Sequence, residues 1–235
     1  MGLEKIRMRF TFRTENSKPI IKSWPINTQP KGFFIDLEGD EISDIVEEVL
    51  SYAYEQKRYF SEGYAPVQLL GKWGLVDIGL NEVIEPQYDD IDFVNEGFVF
   101  VKSGHKYGYL NMHDSTNNHK CTDFKFDKAY DFCNGMAMVI IGGKYGFISS
   151  TNPNEMAIPC IFDDAYNFGH LHPYAIVKYK GKYGMIDKKG NYVIEPKFDS
   201  YSDNTSNIPN TKIAYNAKIG ERFYLIKADG TVTEF

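Results

Sequence analysis

Short runs of alternating apolar and polar residues fill the chain from about residue 60 to 200. Tyr64-Ala65-Pro66-Val67-Gln68-Leu69, Phe98-Val99-Phe100-Val101-Lys102 and Tyr174-Ala175-Ile176-Val177-Lys178-Tyr179 read as strands, because a period of two sends successive side chains to opposite faces. Tyr107-Gly108-Tyr109-Leu110, Gly184-Met185-Ile186-Asp187 and Tyr192-Val193-Ile194-Glu195 read the same way. Between them lie turn-forming clusters: Asn111 to Asn118, Ser149 to Asn154, Gly169 to Pro173, and Asp187 to Gly190. Asn, Asp, Ser, Gly and Pro each favour turns for a backbone reason. One stretch departs from this rhythm. Apolar residues at 42, 45, 46, 49, 50 and 53 follow helical spacing, so an amphipathic helix is predicted over 43–58, capped by Ser43 or Asp40. Asp44, Glu47, Glu48 and Glu55 give that helix an acidic outer face, a solvated surface or a docking face for a partner.

The strands belong to a repeat. Lys72-Trp73-Gly74, Lys106-Tyr107-Gly108, Lys144-Tyr145-Gly146 and Lys182-Tyr183-Gly184 recur, each with a valine seven residues before the glycine (Val67, Val101, Val139, Val177). An aromatic-aspartate pair follows each time: Tyr88-Asp89, Phe126-Asp127, Phe162-Asp163 and Phe198-Asp199. Residues 74 to 89, 108 to 127, 146 to 163 and 184 to 199 are 15, 19, 17 and 15 apart, and the extra residues fall in turns. Such a period marks a solenoid, propeller or array. Each unit offers three short strands, which must stack on neighbouring units to bury their faces. The glycine suits a bulge or close backbone approach, and the aromatic before it covers the gap. Alternation leaves the lysine solvated, and Asp89, Asp127, Asp163 and Asp199 are placed to cap a turn. Asp77, Asn111, Ser149 and Asp187 start hairpins and can bond the turn backbone. Degenerate copies flank the four clear ones, at 31–39 and 223–232.

The expected fold is mainly β, a repeat-built array of antiparallel hairpins, barrel-like or superhelical, with a β-propeller as the alternative. Residues 1–59 form an N-terminal strand region with a degenerate repeat and the helix, 60–199 hold the four repeats, and 200–235 add a loop and a last degenerate copy. All belong to one structural domain in this reading.

Lys72-Trp73-Gly74-Leu75-Val76-Asp77 with Val83-Ile84-Glu85-Pro86-Gln87-Tyr88-Asp89, and the corresponding run from Lys182 to Asp199, resemble the WG-repeat (KWG-type) family of bacterial proteins. The resemblance covers about residues 60–200. It implies antiparallel β structure and, as for most members, no assigned catalytic activity, and it suggests a surface or adaptor module, in some members associated with toxin or defence genes. Three of the four signatures carry Tyr in place of Trp, and a helix interrupts the array. Residues 1–30 match nothing in the family.

Composition narrows the function without naming it. Net charge is −6, so nucleic acid is not the default partner, since phosphate binding leans on Lys and Arg. A basic protein partner suits that balance better. No run reaches the eighteen apolar residues of a membrane span, and the charged N-terminus lacks a signal-peptide pattern. A cytoplasmic protein that neither enters a membrane nor carries a leader is expected. Cys121, Cys133 and Cys160 share no repeat position, which suits free thiols better than a disulfide framework. A catalytic site is an asymmetric cluster of unlike groups, so residues that break the repeat are the candidates. His113, His119, His170 and His172 stand in the two enlarged turns, in spacings that match no zinc pattern. No phosphate loop or nucleophile elbow appears. No catalytic, metal or cofactor residue is assigned. The expectation is a non-enzymatic protein-interaction module, an inhibitor, immunity or defence-associated accessory protein, that uses Asp44, Glu47, Glu48, Glu55 and the four turn histidines against its partner. A glycan or small-ligand binder using the aromatics is the alternative, and an enzyme with a site in residues 1–60 is the third. The sequence leaves the oligomeric state open.

Overall fold

The computed structural model describes residues 11–15, 18–22, 53–114, 119–169, 173–203, 213–227 and 230–234, the first two ranges through their backbone. The chain divides into two compact units, Met1–Phe93 and Val94–Phe235. All elements among the described residues are strands, paired antiparallel.

In the first unit, β1 (Thr11–Glu15) and β2 (Lys18–Lys22) form a hairpin with Thr11 opposite Lys22. A four-stranded sheet follows, in the order β3 (Gln56–Lys57), β4 (Tyr64–Leu69), β5 (Lys72–Asp77) and β6 (Glu82–Tyr88). The short β7 (Asp90–Ile91) comes next in the chain. In the second unit, β8 (Phe98–Ser103) pairs with β9 (Lys106–Asn111). The next sheet is β10 (Lys128–Cys133), β11 (Met136–Ile141), β12 (Lys144–Ser149) and β13 (Asn152–Phe162), in that order. It is followed by β14 (Asp164–Ala165), β15 (Ala175–Tyr179), β16 (Lys182–Ile186) and β17 (Tyr192–Phe198). The last sheet is β18 (Ser200–Asp203), β19 (Ile213–Ile219), β20 (Arg222–Lys227) and β21 (Val232–Glu234).

Three sequence expectations are corrected here. Each complete sheet has four strands where three are expected. In two of these sheets the added first strand leads into the second through Glu62-Gly63 or Asn134-Gly135, all at positive φ; two such residues in succession make the tight primed turn that hairpins favour. The helix expected over 43–58 falls largely outside the described residues, but its C-terminal end is strand: Gln56 pairs with Gln68 and Lys57 with Val67. Tertiary pairing has overridden the helical periodicity there. The expected third strand is also missing from the second repeat, where isolated bridges Tyr107↔Phe126 and Leu110↔Lys120 take its place. Cys121, Cys133 and Cys160 are free and partly buried.

The core lies between successive sheets, and it is built large against small. Met136, Met138, Phe147, Ile158 and Phe162 of one sheet pack on Ala165, Ala175 and Val177 of the next, with Phe168 and Ile186. One step earlier, Phe98, Tyr109 and Phe126 meet Ala129, Ala137 and Val139. Ile176, Met185 and Phe198 in turn meet Ala217, with Tyr215 and Ile226. The recurrent valine therefore has two duties. It lines the small face that receives the preceding sheet, and it stands directly across the hairpin from the signature glycine, Val139 opposite Gly146 and Val177 opposite Gly184. Fully burying one such Phe or Met contributes about 1.5–3 kcal/mol.

Candidate functional site

The two halves of the repeated motif meet in space. Tyr145 stands opposite Phe162 and Tyr183 opposite Phe198, as Trp73 does opposite Tyr88. The flanking residues then pair as well: Lys72 with Asp89 at 2.5 Å, Lys144 with Asp163 at 2.6 Å, and likewise Lys106 with Asp127 and Lys182 with Asp199. The lysine is thus ion-paired rather than simply solvated, and the aspartate does more than cap a turn. Its second oxygen accepts the N–H of a turn glycine in the following sheet, Gly142 for Asp127 (2.6 Å), Gly181 for Asp163 (3.1 Å) and Gly220 for Asp199 (2.8 Å). Each aspartate joins the lysine of its own sheet to the hairpin turn of the next. The lysine hydrogen bond first, and the glycine N–H second, hold the carboxyls of Asp127, Asp163 and Asp199 below the usual carboxylate range.

Glu55 belongs to this set. Its backbone N–H bonds Gln68 O at 2.8 Å and its carboxylate accepts from Gly71 N at 3.1 Å, the contacts that Asp127 makes to Ile140 O and Gly142 N. Tyr54-Glu55 is a degenerate aromatic-acid pair, 34 residues before Tyr88-Asp89. Sequence reasoning assigned it to a helix face; the 34-residue step from Asp89 was the signal that could have found it.

The glycine is required by a bulge across the sheet. Register shifts between Tyr183 and Met185 set Phe198 and Ile194 as their partners, and the intervening chain presses onto Gly184. A methyl there would stand 2.6 Å from Ile194 O and 2.8 Å from Pro196 N. At Gly146 the same methyl would stand 2.7 Å from both Ile158 O and Cys160 N. Proline tolerates a bulge because it has no N–H to give to the ladder.

The turn residues are tied down locally. Asp77 Oδ1 accepts from Asn81 N and Asp187 Oδ1 from Lys189 N and Asn191 N, each at 2.9 Å. Asn111 Oδ1 accepts from His113 N at 3.0 Å, and His119 Nδ1 donates to Asn111 O at 3.1 Å. His113 and His119 are therefore gathered at one turn by Asn111. Asp44, Glu47, Glu48, His170 and His172 lie outside the described residues. Among the described residues, no group of three His, Cys, Asp or Glu is placed to hold a metal. Burial pushes the thiols up, Cys121 to about 11, and Cys133 and Cys160 in the same direction; all are thereby held as thiols at neutral pH.

The row of motif aromatics carries cations. Arg58 lies 4.4 Å from the Trp73 ring centre and bonds Asp90 at 3.1 Å and the Ile91 carbonyl. Lys102, Lys178 and Lys218, each across the hairpin from a motif aromatic, lie 5.7, 4.9 and 5.1 Å from the rings of Tyr107, Tyr183 and Phe223. Beyond this row, Leu70 and Ile78 tip two hairpin turns at 76% and 70% exposure.

Among solved structures the chain is similar to Hsv2p of Kluyveromyces lactis, at 10% identity, covering 94% of this chain and 74% of that one, with a TM-score of 0.44. It is also similar to the N-terminal domain of Nup159, at 10% identity and a TM-score of 0.41, where 77% of this chain spans 60% of that one. No curated protein matches. The family model of the WG containing repeat matches residues 47–73, 73–107, 117–145, 146–183 and 183–208. Its second, fourth and fifth segments each begin at or beside a motif aromatic, and the first takes in the Tyr54-Glu55 pair. With more than half of its length matched, this chain belongs to the WG containing repeat family.

Proposed function

We propose that this is a non-enzymatic protein-binding module of a bacterial cytoplasm, acting as an inhibitor, immunity or defence-associated accessory protein. The observation that carries the reading is Leu70. It sits at φ 52° in a hairpin turn with its side chain 76% in water, where neither backbone preference nor solvation favours leucine. The repeated polar groups, by contrast, are engaged with one another in the frame. Contact with another protein accounts for an apolar residue held out in this way, with Ile78 on a second turn as its companion. A basic partner would also find the stretch from 32 to 56, which has eight acids and no Lys, Arg or His. A glycan shelf is less favoured, because the rings of Tyr107, Tyr183 and Phe223 are already roofed by lysines.

The test is affinity capture from the native cell with the wild-type chain and with Leu70→Asn/Ile78→Ser. The double variant is expected to keep its fold and lose at least tenfold in captured partner. Undiminished capture by the folded variant would remove the support for this reading.

A further inference from the structure

The described residues of the second unit concentrate lysine at one level of the sheets. Lys102, Lys178 and Lys218 occupy the same repeat position opposite a motif aromatic, and Lys125 and Lys197 lie over Phe126 and Phe198 at 5.4 and 5.3 Å. All five therefore stand on the aromatic row beside the hairpin turns. That end is continuous from sheet to sheet, because Asp127, Asp163 and Asp199 each reach the neighbouring turn. The charge of those three aspartates is already answered by Lys106, Lys144 and Lys182. Near the five lysines on rings stand Asp164, in register with Lys178, and Glu221, 3.7 Å from Lys218. Lys218 also acts on Asp199 and Lys125 on Asp123, two carboxylates that Lys182 and Lys120 already pair, and Lys125 donates to the Asn154 carbonyl at 2.8 Å. The unit as a whole is nearly neutral (16 − 15 = +1), so the surplus is local to this rim.

We propose that the lysine-aromatic rim of the second unit docks an acidic segment of a protein partner. The inference rests on the binding-module reading and adds a second surface, of opposite sign to the acidic stretch. Two features favour an acidic polypeptide. Ammonium groups resting on ring faces are preorganised, so less side-chain freedom is lost when a carboxylate arrives. Those same ring faces are covered, which removes the stacking platform that single-stranded nucleic acid uses.

The experiment measures binding of a fluorescent twenty-residue glutamate peptide to the full chain at low salt and at 150 mM salt. Lys178→Glu/Lys197→Glu/Lys218→Glu is compared with Lys188→Glu/Lys189→Glu/Lys227→Glu, which changes the charge equally at the opposite hairpin ends. The rim variant should weaken the peptide at least tenfold and the control less than threefold. A Lys→Gln version of the rim variant serves if the glutamate version does not fold, with a smaller loss in the same order. Equal losses in both variants, or no peptide binding by the wild type, overturn the proposal. So does tighter wild-type binding to an oligothymidine or to phosphatidylserine vesicles than to the peptide, and so does self-association that the rim variant abolishes. If Leu70 and Ile78 prove necessary for partner capture while the peptide fails to bind, the rim falls and the binding-module reading stands.

Discussion

Gly146 and Gly108 hold the same place in the repeat and face different surroundings. Opposite Gly146 the bulged strand β13 presents backbone, so an added methyl would stand 2.7 Å from two main-chain atoms that cannot turn aside. Opposite Gly108 no strand forms. The chain there crosses by bridges, and the methyl would meet the Phe124 ring at 3.1 Å and Thr122 Oγ1 at 3.3 Å. Thr122 is buried and accepts the Tyr109 N–H at 2.8 Å, so a hydroxyl replaces part of the lost ladder. One motif letter thus carries two constraints, set by whichever segment lies across from it. The enlarged turn from Asn111 to Asn118 falls in the sequence between Gly108 and the segment that makes these bridges.

The largest effect should come from testing that contrast directly. Gly184→Ala and Gly146→Ala are expected to destabilise by about 3 kcal/mol, the upper range for overpacking against fixed atoms, and Gly108→Ala by about 1 kcal/mol, because a ring can shift. Urea unfolding at constant m-value gives all three. Equal losses at 108 and 146 would show that the backbone opposite Gly146 yields as readily as a side chain.

The aspartate link is the next contrast. Asp163→Ala removes an acceptor from both Lys144 and the Gly181 N–H, whereas Lys144→Ala removes the ion pair and keeps the glycine bond. Hydrogen exchange at the Gly181 amide should accelerate at least tenfold in Asp163→Ala and only a few-fold in Lys144→Ala. If the two variants exchange alike, the aspartate is not joining one sheet to the turn of the next. The protonation of these groups gives a pH counterpart. Asp127, Asp163 and Asp199 hold protons less tightly folded than unfolded. Their contribution is complete above the unfolded aspartate value, about 3.9, and is lost as pH falls through the lower folded values. Converting all three to Asn should lower the Tm at pH 7 and flatten its decline between about pH 4 and 2. An unchanged acid limb would place the acid sensitivity elsewhere.

Those links also show where the sequence is readable. The period, the hairpins and the role of the glycine follow from local patterns: alternation, turn clusters, and a missing side chain in a strand. Separations of 15, 17 and 19 residues are visible too, and their extra residues fall in turns, where insertions leave the packed strands unchanged. The pairing of Lys with Asp was not legible, since it depends on a bulge that brings together residues 17 to 21 positions apart. The first strands of two sheets escape the pattern for another reason. Gln56–Lys57 and Asp164–Ala165 are two residues long, too short to show a period. Glu55 was misassigned because Asp44, Glu47 and Glu48 share its helical spacing, and a local pattern masked a long-range one.

The smallest effect concerns two equivalent turns. Leu70 at φ 52° and Lys180 at φ 50° precede Gly71 and Gly181 in matching hairpins, and both positions prefer Asn, whose short polar side chain bonds locally in the left-handed region. Leu70→Asn should stabilise by about 1 kcal/mol, since it relieves backbone strain and withdraws an apolar side chain from water. Lys180→Asn relieves the same strain while giving up the 5.2 Å contact of the lysine with the Tyr179 ring, so its gain should be about half as large. The decisive feature is the pairing of stability with binding. If Leu70 is kept for a partner, its Asn variant melts higher and captures less, whereas Lys180→Asn, which lies outside the five-lysine set on the rim, melts slightly higher and captures as before. A Leu70→Asn chain that melts lower would mean that the leucine packs on the frame, and its exposure would lose its claim to function.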